Sequence, residues 1–260
     1  MRTFHAKGVD FAYETVGADP AAAPLQIVWA HGWGQDHRAF LPMAGALRPM
    51  GAHILLDFPG FGASPRPKET WGTEDYADAA AELLASLPRG RRIWVGHSFG
   101  CRVGLQLAAR HPEAVDGLFL IAAAGLPRRR TLLQKIRVNL RVRTFKALKA
   151  LAAFGIDTNQ MQSRFGSADY RNAGALRSIF VKVVRENLTE VAKQVRMPVQ
   201  FVYGALDDDT PPSIGETFAA LIPGAELTVL PRLDHLTILA EGAHQVQHRL
   251  GRFVERVVVP

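Results

Sequence analysis

Three residues set far apart in this chain could together do nucleophilic chemistry. Ser98 sits in Gly96-His97-Ser98-Phe99-Gly100, a G-x-S-x-G pattern. A strand-like run, Arg92–Gly96, precedes it and a helix-spaced stretch, Phe99–Arg110, follows. A sharp strand-to-helix turn of this kind strains the serine backbone and lifts Oγ above the sheet, and the flanking glycines let neighbouring backbone come close. The start of the helix adds a positive field where an oxyanion would form. A serine hydroxyl alone is a weak nucleophile; it needs a base, and a group to orient that base. Downstream, the run Pro198–Tyr203 is followed by Gly204-Ala205-Leu206-Asp207-Asp208-Asp209-Thr210, and the run Glu226–Leu230 by Leu233-Asp234-His235-Leu236. Serine, acid and histidine therefore occur in that order, each just past the carboxyl end of a strand, where open parallel sheets place their chemistry. Taken singly, a loop Asp or a loop His reads as solvated surface. Taken together in this order they read as a nucleophile, its base and the acid behind it. The pattern alone leaves Asp207, Asp208 and Asp209 all open as the acid.

The elements that would position these residues are legible as alternating apolar runs and helical spacings. The strands are expected at Thr3–Lys7 and Val9–Val16 (a hairpin), Leu25–Ala30, His53–Asp57, Arg92–Gly96, Gly117–Ala123, Val199–Tyr203 and Glu226–Leu230. Helices are expected at about His37–Arg48, Glu74–Leu87, Phe99–Arg110, Ser213–Leu221 and Gly242–Val257. Continuous apolar strands alternating with helices predict an α/β fold, a mostly parallel sheet covered on both faces. The alternation stops between Ala124 and Met197, a gap far longer than a crossover needs. Two apolar stripes at helical spacing lie in it: Leu132, Ile136, Leu140, Phe145, Leu148 and Ala152, then Leu176, Ile179, Phe180, Val183 and Val184. The reading is a core of 1–124 and 198–260, with a helical lid, 125–197, folded over one end of the sheet.

The chain has 260 residues, and 48% are hydrophobic and 21% charged, which suits one large domain with a sizeable core. No apolar run approaches the ~18 residues of a membrane span. Residues 1–7 lack the apolar stretch of a signal peptide, so a cytoplasmic protein is expected. The single cysteine, Cys101, excludes an intramolecular disulfide and a cysteine-based zinc site. Net charge is +7, but nine cations lie between Leu126 and Ala150 without one acid; removing them from +7 leaves −2 for the rest. The basicity belongs to one segment of the lid. It is read first as a solvated outer face, second as attraction for an anionic substrate, third as contact with an anionic membrane surface. No aromatic stacking platform or known motif accompanies the charge, so no nucleic-acid partner is expected.

The stretches HGWG at His31–Gly34, DFPGFGAS at Asp57–Ser64, GHSFG at Gly96–Gly100, YGALDDDTPP at Tyr203–Pro212 and DH at Asp234–His235 resemble the α/β-hydrolase fold family over nearly the whole chain. The resemblance implies the α/β-hydrolase fold. It places the acid three residues past the glycine that ends the late strand, at Asp207. Family members with an acid after the earlier strand would carry it near Ala124-Gly125, where this chain has none. It also implies an oxyanion hole made by two main-chain N–H groups, those of Phe99 and Trp33. His31 and His97 are read as hydrogen-bonded structural residues. The other histidines, among them His5, His37, His53, His111, His244 and His248, are read as surface. Cys101 stands where the family often has glycine, a small buried residue that should leave the turn intact.

Ser98, His235 and Asp207 would then attack an acyl carbonyl, form an acyl-enzyme and release it with water. A carboxylic ester of small to medium size is the leading substrate, and neither cofactor nor metal is called for. Thioester or C–C bond hydrolysis, or acyl transfer or lyase chemistry on the same scaffold, are the alternatives; a non-catalytic binding module is the third. Oligomeric state is not legible in the sequence.

Overall fold

The computed structural model describes residues 1–127, 143 and 168–258. Eight strands form one sheet in the order β1-β2-β4-β3-β5-β6-β7-β8. They are β1 (Arg2–Ala6), β2 (Val9–Gly17), β3 (Leu25–Ala30), β4 (Ala52–Asp57), β5 (Arg91–His97), β6 (Gly117–Ile121), β7 (Val199–Gly204) and β8 (Glu226–Leu230). The hairpin β1–β2 and the pair β2–β4 are antiparallel, and every other pair is parallel. The expected hairpin and strands are all present, with ends within two residues of those expected.

Period-two alternation decides which face each residue packs on. In β3, Ile27 and Trp29 join Phe40, Met43, Leu250 and Phe253 on one face, while Val28 and Ala30 join Leu83, Val103 and Leu107 on the other. The helices behind those layers are α1 (Leu41–Ala46), α2 (Thr73–Ser86), α3 (Phe99–Arg110) and the final helix Ala243–Val258. Each central strand buries both faces, which is why the strands read as unbroken apolar runs. β8 differs: it pairs with β7 only, and most of its residues reach solvent.

The helix expected over His37–Arg48 is broken. One 3-10 turn covers His37–Ala39, α1 covers only Leu41–Ala46, and a second 3-10 turn covers Arg48–Met50. Pro42 and Pro49 each sit at the start of a turn, where a proline's missing N–H costs nothing, so the segment restarts rather than continuing. The histidines read as surface also need correction. His53 is fully buried in β4, its Nδ1 accepting from Trp29 Nε1 at 3.0 Å and its Nε2 donating to the Leu47 carbonyl at 2.9 Å. His37 meets the carboxylates of Asp57 and Glu14, and His111 that of Asp78.

Of the second lid stripe, Ile179, Phe180 and Val183 are buried on the helix Arg177–Arg185, and Val184 is exposed. The first stripe and all but one of the nine cations lie outside the described residues; Arg143 is an exposed helical residue. Among the described residues no helix is long and apolar enough to cross a membrane.

Candidate active site

The order of the strands brings the sequence candidates together. β3 and β5 are parallel neighbours, with β6 and β7 beyond β5, so the loops after β3, β5 and β7 open on one edge of the sheet. Ser98 occupies the turn between β5 and α3 at φ 47, ψ −98. That is the left-handed region, which non-glycine residues seldom enter and which costs about 1–3 kcal/mol. Two flanking contacts hold it there: Ser98 N–H donates to the Ile121 carbonyl (3.0 Å) and Gly100 N–H to the His31 carbonyl (3.1 Å). The glycines are required by proximity. A Cβ on Gly96 would stand 2.7 Å from the Gly100 carbonyl, and one on Gly100 2.0 Å from the Ala30 carbonyl oxygen. Cys101 is buried beneath the turn with its thiol 3.2 Å from the Ile121 carbonyl, and burial pushes its pKa up, so it stays a neutral packing group.

The histidine and the acid meet by hydrogen bonding. His235 Nδ1 lies 2.8 Å from Asp207 Oδ2. Of the three consecutive aspartates, Asp207 alone is buried and turned to His235; Asp208 and Asp209 are exposed. The Asp207 carboxylate takes four donors: Oδ1 accepts from the N–H groups of Asp209 (2.9 Å) and Thr210 (2.7 Å), and Oδ2 from His235 Nδ1 and the Thr210 hydroxyl (2.8 Å). Burial by itself would raise its pKa. The His235 hydrogen bond and charge, with the Thr210 donors, overcome burial and hold it below the usual 3.8. Asp207 is therefore ionised throughout neutral pH. Since His235 Nδ1 carries the proton that Asp207 accepts, Nε2 is left with its lone pair.

Thr210 escaped the sequence reading. Its hydroxyl lies between Asp207 Oδ2, the Ala122 carbonyl (3.1 Å) and His235 Nδ1 (3.1 Å), tying the acid to the end of β6. Thr210→Val removes a hydroxyl donor from a charged acceptor while keeping shape. It is expected to raise the Asp207 pKa toward its ordinary value and to lower kcat about tenfold, with Thr210→Ser restoring most of the loss. Steady-state kinetics from pH 5 to 9 on both variants checks this.

His97 and His31 brace the surroundings. His97 Nε2 donates to the His235 carbonyl at 2.9 Å, linking the serine turn to the histidine loop. Burial, then the neighbouring His235 charge, lowers the His97 pKa to about 3, so it is neutral and no base. His31 accepts from Phe58 N–H and donates to the Gly32 carbonyl, and burial lowers its pKa to about 4. The loop after β4 is fixed by Asp57, which accepts from His37 N–H and Nδ1 and from Ala63 N–H. Asp36, His37 and Asp57 lie close enough to share an ion, but Asp57 is already filled by these donors and Asp36 by Arg38. That loop sets Phe61 against His31 and Trp33.

Ser98, Phe99, Trp33, Thr210 and His235 line one cavity of about 190 Å³. Trp33 walls it, edge-on to Phe61 and Phe99 and tilted against Phe180. The structure thus gathers all five sequence candidates: four line the cavity, and Asp207 is buried behind His235.

A family model described as "Alpha/beta hydrolase family" matches residues 27–246. The chain belongs to the alpha/beta hydrolase family. Among curated relatives of this hydrolase, 2-(acetamidomethylene)succinate hydrolase of Mesorhizobium japonicum is 26% identical over 248 residues, covering 89% of each chain. Pimeloyl-[acyl-carrier protein] methyl ester esterase of Chromobacterium violaceum is 28% identical over 246 residues, covering 87% of this chain and 91% of the relative. Among solved structures, an esterase from Exiguobacterium antarcticum superposes with a TM-score of 0.75 at 20% identity, covering 97% of this chain and 98% of its own. That likeness is one of fold.

Proposed function

We propose that this hydrolase cleaves a carboxylic ester of small to medium size through Ser98, His235 and Asp207. The observation that carries the reading is the 2.8 Å contact of His235 Nδ1 with buried Asp207, on a histidine that shares one cavity with the strained Ser98. His235 Nε2 takes the Ser98 proton as Oγ attacks the acyl carbon. Asp207 keeps the imidazole in the required tautomer and stabilises its charged form. The N–H groups of Phe99 and Trp33 receive the oxyanion, the first at the start of a 12-residue helix. The leaving alcohol takes the proton back, and water, activated by His235, releases the acid. The name of one relative, an esterase of a methyl ester, supports the ester reading. In this reading 125–197 is the lid: its helix Arg177–Arg185 supplies Phe180 and Val183 to the cavity wall, and Leu188 N–H returns to the Gly125 carbonyl.

The test is turnover of p-nitrophenyl esters from acetate to decanoate, with fluorophosphonate labelling, on the natural protein and Ser98→Ala. Turnover should fall by about 10⁴-fold or more in Ser98→Ala, and the label should map to Ser98. Labelling without turnover would redirect the search to thioesters or acyl transfer. A folded protein that neither labels nor turns over sinks the hydrolytic reading.

A further inference from the structure

The cavity beside Ser98 holds a charge that the triad does not use. Among the described residues lining it, Arg102 is the one Arg or Lys. It lies four residues past Ser98, one turn into α3, a rise of ~6 Å. Its Nη1 donates to the carbonyls of Val183 (3.0 Å) and Glu186 (3.4 Å) at the end of the helix Arg177–Arg185. No other hydrogen bond of Arg102 is formed among the described residues, and no carboxylate there lies within ion-pair distance of it. Glu186, the acid whose charge acts on Arg102, accepts its hydrogen bonds from Thr73 N–H and Oγ1 rather than from the guanidinium. No buried side-chain polar atom among the described residues lacks a partner, so Nε and Nη2 of this half-buried residue, which make no bond there, each keep some exposure. One nitrogen is enough to staple the helix. The remaining edge of the guanidinium, with its parallel N–H pair, is the geometry that grips a carboxylate.

The cavity also carries acidic groups. Asp169 and Asp209 line it, and Asp169 lies in the field of Asp209 and of His235. Arg102 is the positive side chain that an anionic group would meet among the described lining residues, beside the buried Phe180 and Val183. A partly desolvated cation that no carboxylate touches directly gains from an anion that binds it in contact.

Resting on the esterase reading above, we propose that Arg102 is a specificity residue that binds a carboxylate on the acyl part of the substrate. This hydrolase then prefers half-esters of short dicarboxylic acids to neutral esters of the same length. A cavity of about 190 Å³ suits a short acyl chain.

Binding tests this without catalysis. In Ser98→Ala protein, calorimetric titration compares monomethyl with dimethyl glutarate, then the succinate and adipate pairs. The half-ester should bind at least about tenfold more tightly at one chain length, the size of a charge-assisted hydrogen bond. Adding Arg102→Met should erase the difference. Arg102→Lys, which keeps the charge but not the fork, should retain part of it and guards against misfolding. Arg110→Met, on the exposed end of α3, is the control that should keep the ratio. Equal or tighter binding of the diester, no binding of the half-ester, or a preference surviving in Arg102→Met would overturn the proposal. So would an equal loss of both ligands in the Met and Lys variants, the mark of a mere staple. Turnover of the same pairs by the natural protein separates the two readings. Hydrolysis of both esters without preference defeats the anion site alone. Half-ester selectivity in binding with no turnover of either defeats the esterase and leaves the anion site standing.

Discussion

Asp207→Asn should lower kcat by about 10⁴-fold while the protein stays folded. The carboxylate now accepts four hydrogen bonds, two from backbone N–H groups, one from Thr210 and one from His235. An asparagine has one acceptor oxygen. Satisfying the loop amides with it turns the NH₂ group toward His235 Nδ1, which must then give up its proton to accept. The imidazole switches tautomer, Nε2 becomes protonated, and His235 loses the lone pair that the proposed mechanism needs. Asp208→Asn changes an exposed neighbour and should stay within a few-fold of the natural protein. Kinetics on a p-nitrophenyl ester, with thermal melts of both variants, tests this. A folded Asp207→Asn within tenfold of normal activity would remove Asp207 from the mechanism. Because the Asp207 pKa is depressed, its own protonation falls below pH 3.8 and should add no acid limb to the profile near neutrality.

The second large effect is on stability. Gly100→Ala places a Cβ 2.0 Å from the Ala30 carbonyl oxygen and 2.6 Å from its carbon. Both atoms are backbone of the fully buried strand β3, so no side chain can swing aside. Helix α3 must lift from the sheet, at a cost of about 3 kcal/mol or more. Urea unfolding should show a clear drop in midpoint, or the variant should fail to accumulate as soluble protein. Gly251→Ala is the counter-case. Nothing lies within 4 Å of a Cβ there, inside the helix Ala243–Val258, and the change should gain about 0.5–1 kcal/mol. A Gly100→Ala protein as stable as the natural one would mean that the close approach of α3 to β3 is not required.

What the sequence disclosed was local in character. The serine turn is a contiguous strand–glycine–helix pattern, and α3 spans Phe99–Arg110 in both the expectation and the structure. The choice of Asp207 among three aspartates came from family resemblance, and in the structure burial separates it from its neighbours. What stayed hidden depends on partners far along the chain. Thr210 acquires its place from Ala122, and His53 from Trp29, across adjoining strands. Arg102 looks like any helix cation until the end of the helix Arg177–Arg185 arrives over it. Such contacts carry no period and no motif. The broken helix near Leu41 is different: its prolines were visible, but the apolar spacing outweighed them.

The exposed edge strand β8 carries a consequence for how this protein fails. The segment that delivers His235 follows β8 directly, and β8 is held on one side only, whereas Ser98 hangs from the doubly paired β5. Fraying at a sheet margin needs far less free energy than melting its middle. As temperature rises, the margin lets go first, taking the imidazole from the hydroxyl while the bulk of the molecule keeps its spectrum. Heat inactivation should therefore run ahead of calorimetric melting, and brief warming followed by cooling should return full turnover.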